Sequence, residues 1–580
     1  MRKLVVALFL IGSFCLNAQQ TDSVYTNIFS SISDYRNHNE VFLGNVGLAK
    51  FNLFSPFDDN NTENRSLFPE RSNSQSYTDI FYVLGTGQEN YFDLIHNQKL
   101  TKDLQAKVSF FRSSSTGIYS AQAATVSNFS FDLNFNPEEK RYNFSLNFRN
   151  YKRYNDINGG VADSTFFSLL DSANANVKTT FPVQMPSAVI TSPNNSELEM
   201  LDMSYSHSYN LSKTRNDSLA YFQLAQTFQY KRTKRAFNVL TNTDFFSDFN
   251  YDSVTTADSM KLEQLTHQLG VEYHKTNLQL SAGIGQNYYE YLSYSPFEVH
   301  WENYLYANLR AHKDNFSFRS DAVFITSENK YESFNVSNTA RYVDTGNQIF
   351  DVMEANFNFG TNLPELYFDD YVSNHFQWSR TNNRNTIIKA DFVGVNTKAK
   401  AKVTVNFESQ SDAIFWDSDS QIGQTGISVF GVTLEKQFQF GKRFFFSTSL
   451  RLQDVVAKQT IEVPNVVSFS KFFFKGKIFR KQLSFDAGIN LLYYSSFYSK
   501  AYNPALDKFY VQDQQKVGNY PILDVFAEFY LKNSFAFFIT LTHANSGLLL
   551  DEIGKNYLAT TNYPRQDRAF KFGLKWRLFD

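Results

Sequence analysis

The chain has 580 residues, and 55 Lys and Arg against 57 Asp and Glu leave a formal net charge of −2. This balance gives no reason to expect a nucleic-acid partner. The only cysteine is Cys15, which excludes an intrachain disulfide framework. Aromatic residues reach 17% of the chain, yet beyond the first twenty residues no apolar run is long enough for a transmembrane helix.

Residues 1–18 have the pattern of a cleaved secretory signal peptide. Arg2 and Lys3 form a positive start, the apolar run Leu4–Leu16 follows, and Ala18 ends a plausible cleavage site. Lipid attachment at Cys15 is disfavoured because the bulky Phe14 precedes it. The sequence therefore predicts export across the inner membrane.

Residues 19–76 form a polar leader rich in Asn, Ser and Asp, with short apolar patches at Val41–Gly44 and Phe51–Phe54. Two interpretations stay open at this stage. The segment is either a loosely packed leader or a small plug that folds into the domain that follows.

From Tyr77 onward, apolar and polar residues alternate in short runs that are separated by turns. Phe129–Phe135 and Tyr142–Phe148 flank one such turn and predict a β-hairpin with one apolar and one polar face. Nine tight turns are predicted, at Thr101–Asp103, Pro137–Lys140, Lys213–Asp217, His274–Asn277, His312–Asn315, Asn396–Lys398, Phe440–Lys442, Lys475–Lys477 and Lys532–Asn533.

Longer polar connections separate these tight turns. They are predicted at Tyr154–Asn195, Thr233–Lys261, Glu328–Asn383, Ser409–Thr425, Tyr498–Asn519 and Ser546–Asp567. Alternation of short turns with long loops is typical of transmembrane barrels, and an open sheet edge in lipid would leave backbone groups unpaired. Residues 77–580 are therefore predicted to form an all-β, transmembrane, antiparallel, up-and-down β-barrel with an even number of strands. The turns give twenty strands, within an accepted range of roughly 16–20, too wide for side chains to fill the lumen.

The last strand has the clearest alternation in the chain. Its apolar face consists of Phe570, Phe572, Leu574, Trp576 and Leu578, and its other face carries Lys571, Gly573, Lys575 and Arg577. We expect this strand to close the barrel against the first.

Several blocks of sequence resemble the Bacteroidetes "putative porin" family, also called porin 10. They are Leu43–Ala49, Tyr77–Tyr82 with Gln88, Phe92 and His96–Gln98, Arg141–Asn143 with Asn158–Val161, Tyr520–Phe526, and Tyr563–Pro564 with Arg568 and Phe570–Trp576. The middle of the chain, about 230 to 500, matches only in pattern. The resemblance implies a β-barrel in the outer membrane of a Gram-negative cell, and it implies no particular substrate.

No catalytic motif stands out, and the nine histidines are scattered, so we expect no enzyme activity, no metal and no cofactor. Charged side chains on the polar faces are the better functional candidates, because charges that line a pore set its ion selectivity. The predicted pore-lining residues are Lys107, Arg149, Arg319, Lys389, Arg451, Asp132, Asp321, Asp391 and Asp524. Because cations and anions are mixed, we expect weak selectivity.

The predicted function is a porin-like passive diffusion channel for small hydrophilic solutes. The alternative is a non-conducting scaffold or partner barrel in an outer-membrane uptake or secretion complex. The expected partners are outer-membrane lipid, lipopolysaccharide, the barrel-assembly machinery and the solutes, and an oligomer is compatible with the sequence.

Overall fold

The computed structural model describes residues 76–579, apart from 118–122, 138–140, 158–193, 213–219, 241–245, 247, 295–297, 328–331, 345, 347–348, 363–365, 457–461, 481, 532–533, 547–557, 562 and 566–567. The predicted signal peptide and the predicted leader, except Ser76, lie outside the described residues. The two interpretations of the leader are therefore not tested by the fold itself.

The described residues form β-strands almost throughout. In chain order the elements are β1 Tyr77–Gly85, β2 Glu89–Lys99, β3 Leu104–Ser115, β4 Ala124–Phe135, β5 Tyr142–Asp156, β6 Asn195–Asn210, β7 Tyr221–Val239, β8 Thr256–Lys275, β9 Leu278–Leu292, β10 Glu298–Lys313, β11 Phe316–Ser327, β12 Ser333–Val343, β13 Val352–Asn362, α1 Leu366–Asp369, β14 Asp370–Val372, β15 Gln377–Ser379, β16 Asn385–Asn396, β17 Ala401–Trp416, β18 Ile422–Phe440, β19 Phe444–Val456, β20 Val466–Ile478, β21 Leu483–Tyr494, β22 Phe497–Tyr498, β23 Ala501–Asn503, β24 Lys508–Tyr510, β25 Lys516–Val517, β26 Ile522–Leu531, β27 Phe535–Thr542, β28 Leu558–Thr560, β29 Tyr563–Pro564 and β30 Ala569–Phe579. Within the described part of the chain, no helix is long and apolar enough to cross a membrane.

Twenty-two of these strands form one closed antiparallel barrel. Each pairs with the next barrel strand along the chain, with β13 beside β16, β21 beside β26 and β27 beside β30. The barrel closes where β1 pairs with β30, from Tyr77 opposite Phe579 to Gly85 opposite Lys571. The predicted all-β, antiparallel, up-and-down barrel with an even strand number is confirmed, and its last strand does meet its first.

The strand number is 22, two more than the upper end of the predicted range. The stretch Glu328–Asn383, predicted as one long connection, contains the hairpin of β12 and β13. The alternation of apolar and polar residues is weak there, because small or polar residues such as Ala340 and Asn338 occupy outer-face positions that carry large apolar side chains in other strands. The connection between these strands spans residues 344–351, which is longer than most of the turns at the same end of the barrel, and the sequence alone places it in a loop.

Two other predicted connections are wrong in position. Lys475–Lys477 lies inside β20, which runs to Ile478, so the turn follows at residues 479–482. The stretch Ser409–Thr425 is mostly strand, because β17 continues to Trp416 through a bulge between Gln410 and Ala413. Polar residues at a bulge look like a loop in the sequence, yet they remain within the ladder.

The two ends of the barrel differ. We call the end that carries the termini and the connections β2–β3, β8–β9, β10–β11 and β16–β17 the turn end. The opposite end, which carries residues 363–384, 495–521 and 543–568, is the loop end. On the outer face of β30, Phe570, Phe572, Trp576 and Leu578 are exposed, whereas Lys571 on the inner face is buried. The apolar faces of the strands therefore point outward and the polar faces point into the lumen.

Candidate functional site

The inner wall of the barrel is lined by polar side chains that bond from strand to strand. Hydrogen bonds join Ser109 to Ser130 at 2.6 Å, Ser206 to Thr227 at 3.0 Å, Thr266 to Asn287 at 2.8 Å and Thr339 to Asn356 at 2.7 Å. Hydroxyl and amide groups in these positions satisfy one another's hydrogen bonds across the strands. The wall is thus a hydrogen-bonding surface.

All nine predicted pore-lining residues lie on inner faces of strands. Lys107 stands directly opposite Asp132, and Arg149 lies opposite Ser130 on the next strand, so these three charges share one sector of the wall. Their neighbours along each strand, such as Phe129 and Phe148, lie on the outer face. Their role in conduction stays a prediction.

A second sector brings Lys389, Asp391 and Arg451 together. Lys389 forms an ion pair with Glu408 at 3.2 Å. Arg451 lies across Gly431, where an added Cβ would be 2.8 Å from its guanidinium nitrogen. The glycine lets the long arginine side chain lie along the wall toward β16, the strand that carries Asp391.

The remaining predicted residues lie elsewhere on the wall. Arg319 donates from Nε to Asp321 at 2.5 Å on the same strand. Asp524 accepts a hydrogen bond from the backbone of His543 at 2.8 Å near the loop end of β26. The structure therefore distributes the nine residues over four sectors of the wall and does not gather them into one ring.

Two connections at the loop end fold over the lumen, and we call them together the lid. The lid consists of residues 366–384, which contain α1, β14 and β15, and residues 495–521, which contain β22–β25. The β23–β24 hairpin leaves the barrel between β21 and β26 and reaches β5 and β7. Around the barrel, the strands β27, β30 and β1–β6 separate β26 from β7. The hairpin therefore spans the mouth, the opening of the barrel at the loop end.

Ionic contacts hold the tip of this hairpin to the far wall. Arg153 of β5 forms an ion pair with Asp507, whose other carboxylate oxygen accepts from the Tyr502 hydroxyl at 2.7 Å. Arg235 of β7 donates to the carbonyl oxygen of Ala505. Burial opposes ionisation of Asp507, but Arg153 and Arg235 outweigh it and hold the pKa of this carboxyl below its usual range. We call these contacts the latch.

The other half of the lid rests on the connection between β7 and β8. The Asn374 side chain donates to Asp252 O at 2.7 Å and to the Thr256 hydroxyl at 2.9 Å. His375 stacks on Phe246, with ring centroids 4.0 Å apart, and its Nε2 lies 2.9 Å from the same hydroxyl of Thr256. Burial lowers the pKa of His375, so the neutral ring is favoured.

The two halves of the lid meet in an apolar cluster above the lumen. Tyr367 and Phe368 of the first connection pack with Leu506 of the second and with Trp416 at the end of β17. The Tyr367 and Trp378 rings lie edge to face with centroids 5.5 Å apart, and the Trp378 indole donates to Tyr367 O at 3.0 Å. The lid is therefore a packed unit with its own small core.

A polar recess of about 770 Å³ opens on the inner wall toward the turn end. Its lining includes Gln105, Asn143, Ser206, His207 and Gln223. Neutral hydrogen-bonding groups predominate there, and Glu272 and Lys99 are among its charged members. Among the residues that the structure describes, no three His, Cys, Asp or Glu side chains are placed to hold a metal ion.

Sequence reasoning missed the lid and two charge pairs beside the closure of the barrel. Lys571 of β30 pairs with Glu89 at 3.2 Å, and Arg577 of the same strand binds Asp79 with two nitrogens at 2.6 and 2.5 Å. The only available signal was the cationic face of the last strand. Its partners belong to β1 and β2, at the opposite end of the chain.

Comparison with known proteins agrees with this architecture. A family model described as "Putative porin" matches residues 71–580. No curated protein matches the chain.

Solved structures are similar in fold at low sequence identity. A mutant of the ferric enterobactin receptor PfeA from Pseudomonas aeruginosa matches with a TM-score of 0.59 at 11% identity, covering 88% of this chain and 81% of that chain. The copper transporter OprC matches with a TM-score of 0.60 at 9% identity and the same coverage, 88% and 81%. The FrpB iron transporter from Neisseria meningitidis matches with 0.56 at 9% identity, covering 87% and 82%. At these identities the likeness is one of fold alone.

Because the family model covers most of its length, the chain belongs to the family described as "Putative porin" and is a porin-like β-barrel of the outer membrane.

Proposed function

We propose that the protein is a passive diffusion channel for small hydrophilic solutes. The observation that carries this proposal is the inner wall, where hydroxyl, amide and charged side chains face the lumen in several sectors. A barrel of 22 strands is too wide for wall side chains to fill, so water can occupy the space between them. The polar recess at the turn end offers neutral hydrogen-bonding groups to a passing solute.

The charges on the wall support weak ion selectivity. Lys389 pairs with Glu408, Arg319 with Asp321, and Lys475 with Asp486 at 3.1 Å. A pair of opposite charges presents little net electric field to a passing ion. A ring of charged side chains of a single sign would instead make the pore strongly selective for ions of the opposite sign. We therefore propose a channel in which the lid limits the size of the solute and charge has a minor effect.

A second candidate function has one specific observation in its favour. The lid spans the loop end of the barrel and is held to the far wall by the latch. A permanently closed mouth would suit a non-conducting scaffold or partner barrel in an outer-membrane uptake or secretion complex. The exposed aromatic residues of the outer face, such as Trp576, support membrane lipid as a partner in either case.

Single-channel recording in a planar bilayer tests the proposal. The chain starting at residue 19 is compared with a variant that starts at residue 76, each first shown to be folded by heat-modifiable migration in gels. Stable ohmic openings in either protein, with a reversal potential close to zero in a salt gradient, would support a weakly selective channel. Folded but silent barrels in both cases would overturn the channel and leave the scaffold function.

A further inference from the structure

The lumen contains an apolar region where a water-filled pore would have none. We call it the inner apolar patch. Its buried residues are Phe81, Val83, Tyr91, Phe111, Val126, Tyr151, Leu198, Ala536 and Phe538, which belong to β1–β6 and β27. The ring of Phe81 stacks on that of Phe538 at 6.2 Å and meets Tyr91 edge to face at 5.6 Å. Aromatic side chains thus cover one sector of a wall that is polar elsewhere.

The patch is buried more deeply than a single layer of strands can explain. Phe81 and Val83 are 0% exposed and Phe538 is 1% exposed. On the outer face of the adjacent strand, Phe572 remains 37% exposed and Trp576 45% exposed. Neighbouring strands shield the flanks of a side chain in a sheet, but only atoms above the sheet shield its tip. Something therefore lies over the patch on its lumen side.

Charged groups at the border of the patch lead independently to the same conclusion. The Lys571–Glu89 pair has side chains 1% and 0% exposed, and Asp79 beneath Arg577 is 1% exposed. In an open lumen these charged groups would stay hydrated, because removing water from an ion costs several kcal/mol. Their burial shows that this sector of the lumen is closed to solvent.

The leader is long enough to cross the lumen from the turn end and cover the patch. We propose that residues 19–75 dock inside the lumen on the inner apolar patch as a partial plug. The chain before Tyr77 arrives at the turn end on β1, the strand that carries Phe81 and Val83. Every residue of the patch belongs to a wall strand, and within the described chain no lid residue joins it.

The composition of the leader fits this site. Val41–Gly44 and Phe51–Phe54 are apolar runs in an otherwise polar segment, and burial of apolar surface is the main force that would hold them on the patch. The residues between Phe54 and Tyr77, at about 3.3 Å each when extended, can reach any point of the patch. The proposal does not depend on conduction, since a plugged barrel could serve either function considered above.

Cysteine accessibility tests the proposal directly. The chain starting at residue 19 contains no cysteine, because Cys15 is the only one in the sequence. Val83→Cys places a thiol in the patch, and Val323→Cys, a half-buried valine on the inner face of β11, is the matched control. We expect a membrane-impermeant maleimide to label the first thiol at least about tenfold more slowly, equivalent to ~1.4 kcal/mol of opening free energy.

Removing the leader should abolish the difference. In the variant that starts at residue 76, the two thiols should react at similar rates. If that variant does not fold, the double substitution Phe51→Ser and Phe54→Ser in the complete leader should accelerate labelling of Val83→Cys alone. Equal labelling with the leader present, or protection that persists without it, would overturn the proposal; the second result would mean that another segment, such as residues 158–193, covers the patch.

Discussion

At the scale of single residues, the lid depends on a few buried polar groups that must stay paired. Asp507 has the ionic partner Arg153 and the hydroxyl partner Tyr502, and Arg235 bonds the backbone beside it. Removing one partner of a buried ion pair leaves the other charge without compensation, which is why such changes cost far more than the pair itself contributes. The latch is therefore the position at which a small change should have the largest effect on the lid.

Asp507→Asn should release the hairpin tip. The change removes the negative charge and leaves Arg153 and Arg235 facing a neutral amide, at a local cost of about 3–5 kcal/mol. The measurement is the rate of limited proteolysis within residues 495–521, which should rise while the barrel stays intact. Asp513→Asn, the same change at an exposed site of the same connection, should leave the rate unaltered.

We expect His375 to make the docking of the lid depend on pH. Its pKa is lowered from 6.5 by burial, so the unfolded loop binds a proton more readily than the docked loop. The contribution of the neutral ring to docking is complete above pH 6.5 and falls as the pH drops through the lowered pKa. Asp507 also has a lowered pKa, but from 3.8, so its contact should be lost only at much lower pH.

Proteolysis of residues 366–384 should therefore accelerate as the pH falls below about 6.5. His375→Gln should remove this acceleration, because glutamine does not titrate. His300→Gln, at a histidine that lies 2.9 Å from Glu298 on the inner wall, serves as the control and should keep it. An unchanged pH profile in the His375 variant would mean that another group governs the loop.

At the scale of elements, closure of the barrel combines a ladder of backbone hydrogen bonds with close packing inside. Gly573 of β30 lies beneath the ring of Phe538, where an added Cβ would come within 2.1 Å of a ring carbon. An aromatic ring that covers a glycine on a neighbouring strand shields the bare backbone and fixes the register of the two strands. Here the same ring belongs to the inner apolar patch.

Gly573→Val should destabilise the closure, because the ring of Phe538 is buried and has no space to withdraw. Overpacking of this kind costs about 1–3 kcal/mol. The midpoint of urea unfolding, followed by heat-modifiable migration in gels, should fall. Leu574→Ile, a change of similar size on the outer face of the same strand, should shift the midpoint much less.

Strand elements with strong alternation could be predicted from the sequence, and those without it could not. The final strand was predicted residue by residue, since its Phe, Trp and Leu residues occupy one face without interruption. The hairpin of β12 and β13 was missed because Ala340 and the polar residues around it blur the two faces. Lys475–Lys477 looked like a turn, although the Phe485 ring covers Gly476 inside the ladder.

The lid was beyond sequence reasoning for a different reason. Arg153 and Asp507 are 354 residues apart, and no local pattern relates them. The charged residues of the wall were found because a strand fixes the face of every second residue. Their distribution over separate sectors depends on strand number and register, and the sequence determined neither with enough accuracy.

At the scale of the whole molecule, the lid and the wall together determine what can pass. If the protein conducts, replacing residues 501–510 by a short Gly/Ser linker should raise the single-channel conductance, because the hairpin no longer spans the mouth. The reversal potential should change little, since the wall charges remain paired. Conductance equal to that of the unaltered protein would show that the narrowest point lies elsewhere.

The latch also has a mechanical consequence. A wide barrel held only by its own ladder can flatten into an ellipse, because each strand pair bends a little at low cost. The β23–β24 hairpin runs from β21 and β26 to β5 and β7, and so it acts as a strut across one diameter of the rim. Any partner that pulls the hairpin outward would pull on two distant parts of the wall at once and change the shape of the mouth as it opened.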